Sequence, residues 1–271
     1  MVNLPKVLCL FAVVPKLIFS AELPIGFLDP EPILQAAEHA IGAQNINCVE
    51  IEGTAIGAAV GQAYLNGYEV DWPPGKTMNN YKRFMNWSHG AMLETFEREP
   101  GFNPASWKYG SGWRSGTPLQ KHKKQEFGVV EDIGWSRDGE KAEAQQAYSE
   151  DADVWQLDLW MNPHGFLKAA RLPGANPVAT WRWELGEMGR DGPTTQPEKV
   201  RIISITILGK YQVNATINKN NLLQRIHTRV GDPVLGDFNY EHEFQDSSYV
   251  DLDDDVRFPT YWHHHQGWDD N

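Results

Sequence analysis

The residues best suited to chemistry stand at the end of the chain, in Tyr261-Trp262-His263-His264-His265-Gln266-Gly267-Trp268-Asp269-Asp270. Imidazole and carboxylate are zinc ligands, and on an extended strand His263 and His265 point to one face while His264 points to the other. His263, His265 and Asp269 are therefore the candidate metal ligands. The competing reading is a polar segment leading onward, in which three adjacent histidines pick up metal adventitiously. His164 is a second candidate; a catalytic role would need a carboxylate or nucleophile beside it, and the alternative is a ring that hydrogen-bonds the backbone near a helix start. The acidic run Asp251, Asp253, Asp254, Asp255 lacks the glycine turn of a calcium loop and reads as a solvated turn. Ser111, Ser115 and Ser136 lack a G-x-S-x-G setting, and neither a phosphate loop nor a dinucleotide fingerprint occurs. No catalytic residue is assigned, because no complete active site assembles from these residues.

Composition narrows the partners. The chain has 271 residues and a formal net charge of -12, which argues against nucleic acid and anionic membrane surfaces, since both demand clustered Lys and Arg. The one basic cluster, Lys121-His122-Lys123-Lys124, is short and loop-like. Residues 1–21 combine Lys6, an apolar run from Val7 to Val14, and a small-residue end at Ser20-Ala21. That pattern is too short and too broken to span a membrane and fits a secretory signal peptide, so an exported, periplasmic protein is expected, with residues 22–271 as a single domain. Of the two cysteines, Cys9 lies in the signal segment and Cys48 is left without an internal disulfide partner.

The elements that must position these residues follow from spacing. Asp29 and Pro30 open a helix that Gly42 closes. Strands are expected from Val49, over Tyr81–Glu99 with a break at Ser88-His89-Gly90, and over Val129–Trp135. Lys141–Met161 reads as a helix with Val154, Leu157 and Met161 on one face and Asp158 opposite. Asn162 and Pro163 restart the chain as a second helix, His164–Leu172. The last third alternates clearly: Val200–Leu208, Tyr211–Ile217, Leu222–Val230 and Tyr240–Phe244 form an antiparallel meander, and a final strand runs around Val256–Tyr261. The fold class is α+β, a curved antiparallel β-sheet (half-barrel) wrapped around a few helices. Its concave side offers an apolar hollow, with Trp155, Trp160, Phe166 and Leu167 as the expected wall against a lipid chain or another apolar small molecule.

Four segments carry a family resemblance. They are Trp160-Met161-Asn162-Pro163-His164-Gly165-Phe166-Leu167-Lys168-Ala169-Ala170, Ile217-Asn218-Lys219-Asn220-Asn221-Leu222-Leu223-Gln224-Arg225, Pro233-Val234-Leu235-Gly236-Asp237 and Val256-Arg257-Phe258-Pro259-Thr260. In this order they resemble the N-terminal accessory domain of exported metallo-β-lactamase-fold proteins, a domain similar to the half-barrel of bacterial lipoprotein carriers. The resemblance runs from about Asp29 to the end of the chain. It implies a non-catalytic binding or accessory domain with an apolar cavity, partnered with a zinc-dependent hydrolase domain outside this chain. The zinc signature of that hydrolase domain, H-x-H-x-D-H, counted from His263, needs Asp at 267 and His at 268, where Gly267 and Trp268 stand. No cofactor is expected on this reading; zinc at His263, His265 and Asp269 belongs to the alternative, a metal-dependent hydrolase.

Overall fold

The computed structural model describes residues 25–58, 74–100, 122–184, 188–189, 192–193, 196–232, 236–252 and 255–267. Residues 1–21, expected as a signal segment, the basic residue Lys121 and Asp269 lie outside them. The first half of the chain gives β1 (Phe27–Leu28), α1 (Pro30–Ile41), β2 (Cys48–Ala58), β3 (Pro74–Asn86), β4 (Ala91–Pro100), β5 (Lys123–Val130), β6 (Ile133–Asp138) and β7 (Gln145–Gln146). Two helices follow, α2 (Ser149–Trp160) and α3 (Pro163–Ala169). The remainder is β8 (Val178–Glu184), β9 (Met188–Gly189), β10 (Gly192–Pro193), β11 (Glu198–Ile207), β12 (Tyr211–Ile217), β13 (Leu223–Asp232), β14 (Gly236–Phe244), β15 (Tyr249–Asp251), β16 (Arg257–Pro259) and β17 (Trp262–Gly267).

The strands form two antiparallel sheets that do not close into a barrel. One is the meander β2-β3-β4-β5-β6-β7, and the other has the order β1-β8-β11-β12-β13-β14-β17. The expected four-strand meander is the centre of the second sheet. Its first hairpin turns through Leu208, Gly209 and Lys210, with Leu208 and Gly209 in the left-handed region at φ 54° and 69°. At the next turn the Asn218 side chain accepts from the backbone N–H of Asn220 at 2.9 Å and of Leu222 at 3.0 Å, which explains an asparagine there.

The helices start where capping chemistry puts them. The Asp29 carboxylate accepts from Glu31 N–H at 3.0 Å, and Asn162 Oδ1 accepts from Gly165 N–H at 2.9 Å. Helix α2 begins at Ser149, later than the expected Lys141, because Gln145 and Gln146 pair with Ser136 and Trp135 as β7; a ladder to a neighbouring strand outweighs helix propensity there. Helix α3 ends at Ala169, three residues before the expected Leu172.

The helices lie between the sheets. Helix α2 rests on β4, β5 and β6 and reaches β14 on its other side. Trp87, just beyond β3, donates its indole N–H to the Leu159 carbonyl at 3.0 Å. One apolar cluster runs through all three layers, from Met85 and Val129 through Leu157, Phe166 and Leu167 to Ile203, Val213 and Phe244. Gly165 sits where α3 passes under the end of α2, and a Cβ there would lie 2.7 Å from the Leu159 carbonyl oxygen. The segment Trp160–Ala170 is thus the joint between two helices.

Candidate functional site

Among the described residues, three groupings of side chains stand out. The first is internal. Asp158 leaves α2 toward β14 and accepts a hydrogen bond from the Tyr240 hydroxyl at 2.5 Å. Its other oxygen lies 3.9 Å from the guanidinium of Arg83 on β3, and Arg83 in turn donates to Glu94 on β4, Nε to Oε2 at 2.8 Å. The Tyr81 hydroxyl also donates to Glu94, at 3.0 Å. Asp158, expected on the face away from the core, is instead nearly buried, with its charge balanced from the opposite sheet. Burial, with the negative charge of Asp158, pushes the Tyr240 hydroxyl well above its ordinary pKa.

His242 completes this array. Its Nδ1 stands 2.7 Å from the Met161 carbonyl oxygen, which can only accept, so Nδ1 carries the proton. Nε2 then presents a lone pair 3.6 Å from Asp158 Oδ1 and has no hydrogen-bond partner. Protonation would join the two acceptors, and Asp158 favours it, but burial outweighs that pull and holds the His242 pKa below the usual imidazole value. His264 on β17 stacks edge-on against both Tyr240 and His242 at 4.4 Å. The residue as a whole is exposed, yet crowding on its inner side and the neighbouring His242 push its pKa down as well. The array ties helix α2 to both sheets.

His164 is likewise internal. It stacks between Trp87 and Phe258 with ring centroids at 5.9 and 5.1 Å, and its Nε2 donates to the Ile41 carbonyl at 3.3 Å. Burial lowers its pKa to about 4, so it is a neutral core residue that bonds the backbone. Of the residues expected to wall an apolar hollow, Trp160, Phe166 and Leu167 belong to the main core, with Phe166 and Leu167 fully buried. Trp155 is half-buried and packs on Phe127 at 5.4 Å.

The second grouping is on the opposite face of β14 and β17. The ladder sets Glu243 across from His263 and Glu241 across from His265. One donor atom each from Glu243, His263 and His265 lies within 4.8 Å of the other two, and His265 Nε2 stands 3.4 Å from Glu243 Oε2. The His265 ring lowers the Glu243 pKa, chiefly through this contact. The sequence pointed to both histidines. Glu243 was missed because its partnership depends on which strand β17 joins; the alternation Tyr240, His242, Phe244 against Glu241, Glu243 did mark it as lying on the outer face.

The third grouping is apolar and exposed. Phe84 faces Leu93 across β3 and β4, Leu93 faces Gly128, and Gly128 faces Trp135. A Cβ on Gly128 would meet the Trp135 ring at 2.4 Å, so the glycine is what lets the indole lie flat across the strand. Phe84 and Leu93 are each 38% exposed, and Val130 and Ile133 at the β5–β6 hairpin extend the same face at 51% and 61%. Two ion pairs lie at the ends of the neighbouring cross-strand row, Lys82 with Glu52 and Arg137 with Glu126. No family model, curated protein or solved structure matches the chain. No helix among the described residues is long and apolar enough to cross a membrane.

Proposed function

We propose that this chain is a non-catalytic accessory domain of an exported protein, and that it docks a partner domain through the outer face of the β2–β7 sheet. The observation that carries the reading is the cross-strand row of Phe84, Leu93 and Trp135, continued by Val130 and Ile133, with ion pairs in the row beside it. An apolar centre with a charged rim is the anatomy of a protein–protein interface. An exposed sheet face suits another folded surface better than a lipid chain does, and Leu157, Leu159, Phe166 and Leu167 between the sheets are all fully buried. The four segments that resemble the accessory domain of metallo-β-lactamase-fold proteins name the partner class, a zinc-dependent hydrolase domain. Residues 1–21 support export.

The test is co-expression with a metallo-β-lactamase-fold hydrolase polypeptide from the same genome. The two are expected to co-purify, and Phe84→Asp with Leu93→Asp should abolish the complex while leaving the melting temperature of the isolated chain within a few degrees. Failure of the unaltered chain to bind that polypeptide, or a complex indifferent to both substitutions, sinks the docking reading. Native mass spectrometry that finds a lipid held stoichiometrically would replace it with an apolar-ligand carrier.

A further inference from the structure

We infer that Glu243, His263 and His265 form a binding site for a divalent transition metal, with zinc the best-fitting ion, and that at least one coordination position of the bound ion faces solvent. This inference is independent of the docking reading, because it rests on the other sheet.

The backbone part of the site is prebuilt. Strands β14 and β17 pair over six residues, from Asn239↔Gly267 to Phe244↔Trp262. Glu243 and His263 are directly opposite in that ladder, and His265 follows two residues along on the same face. The register is guarded from behind. His264, between the two candidate ligands, projects to the other face and packs on Tyr240 and His242, while Trp262 packs on Phe244 at 6.3 Å. A slip of one residue would turn His263 and His265 inward and His264 outward, breaking those contacts. The two histidines share a face by the strand's two-residue period, core packing turns that face outward, and neither depends on a metal.

The donors select the ion. Two imidazole nitrogens and one carboxylate oxygen suit zinc and its neighbours in the first transition row, whereas calcium and magnesium take oxygen ligands. Metal–ligand bonds of about 2.0–2.2 Å require the donor atoms to close from their present separation of up to 4.8 Å. That closure involves only side-chain rotation, since Glu243 and His263 are exposed and His265 is partly so. Arg225, opposite Glu243 in the β13–β14 ladder and 3.9 Å from Glu241, already balances part of the carboxylate charge beside the site. All three ligands rise from one sheet face, so a tetrahedral ion has a position directed away from the sheet, open to water or to an exchangeable anionic or imidazole ligand.

A bare run of three histidines would bind zinc with no help from the fold, and the test separates the two cases. The untagged full chain, stripped with chelator and dialysed, is titrated calorimetrically with zinc and, separately, with calcium. One zinc per chain and no calcium uptake are expected. His263→Ala, His265→Ala and Glu243→Gln should each weaken zinc binding by roughly tenfold or more, because each removes a ligand. His264→Gln and His264→Ala should change it by no more than about threefold, as that residue faces the other side. Cobalt substitution adds a readout of geometry: intense visible absorption marks a tetrahedral site, and Glu243→Gln should alter the spectrum. Far-UV circular dichroism of each variant confirms that it is folded. The inference is overturned if the chain takes up no zinc, if Glu243→Gln binds as well as the unaltered chain, or if the His264 variants lose as much affinity as His263→Ala.

Discussion

The Tyr240 hydroxyl donates to Asp158 Oδ1 at 2.5 Å, across the boundary between the last turn of α2 and the centre of β14. This bond joins a helix that packs on one sheet to a strand of the other. Asp158 also faces Arg83, which is itself held by Glu94, so a chain of polar contacts crosses the core from sheet to sheet.

Removing the acceptor should be costly. Asp158→Ala leaves the Tyr240 hydroxyl unsatisfied and leaves the Arg83 charge with Glu94 alone. A broken buried charge network costs about 3–5 kcal/mol. Tyr240→Phe removes one hydrogen bond and keeps the ring, so about 1–2 kcal/mol is expected. Urea denaturation of both variants measures the difference. Equal and small effects would show that the array contributes little to holding α2 in place.

The two buried histidines give the stability of the protein a sign with pH. Burial holds His242 below the ordinary imidazole value, and His164 falls from 6.5 to about 4. An unfolded chain binds protons at these positions first, so acidification favours unfolding. The stability tied to His164 is intact above pH 6.5 and is lost progressively as pH falls toward 4. Chemical denaturation at pH 7 and pH 5 should show a drop that is smaller in His164→Gln than in the unaltered chain, even though the variant is less stable at pH 7. A drop of the same size in both would exclude His164 as a contributor.

Gly165 leaves no room for a side chain. Its Cβ would lie 2.7 Å from the Leu159 carbonyl and 3.0 Å from the Trp160 Cα, both backbone atoms that cannot swing aside. Gly165→Ala should therefore destabilise the protein by about 2 kcal/mol or more, despite alanine's better helix propensity. Thermal melts decide this, with a fall of several degrees expected. An unchanged or raised melting temperature would mean that the α2–α3 joint opens without cost.

Much of the frame was legible in the sequence because it is local. Asp29 and Asn162 cap helices through bonds to residues two and three positions away. The meander β11–β14 follows from alternation and short turns. The common face of His263 and His265 follows from the two-residue period of a strand. The rest depends on partners far apart in the chain. The strand expected around Val256–Tyr261 is β16, Arg257–Pro259, and a further strand, β17, runs from Trp262 to Gly267 and finds its neighbour in β14. That pairing brings Glu243 to the two histidines. The burial of Asp158 depends on Arg83 and Tyr240, 75 and 82 positions distant, and helix periodicity alone put it on the outside. Local spacing determined which way each side chain points along its own element. Only the tertiary structure decided which charges and ligands meet, because register between distant strands and compensation of a buried charge are properties of the assembled core.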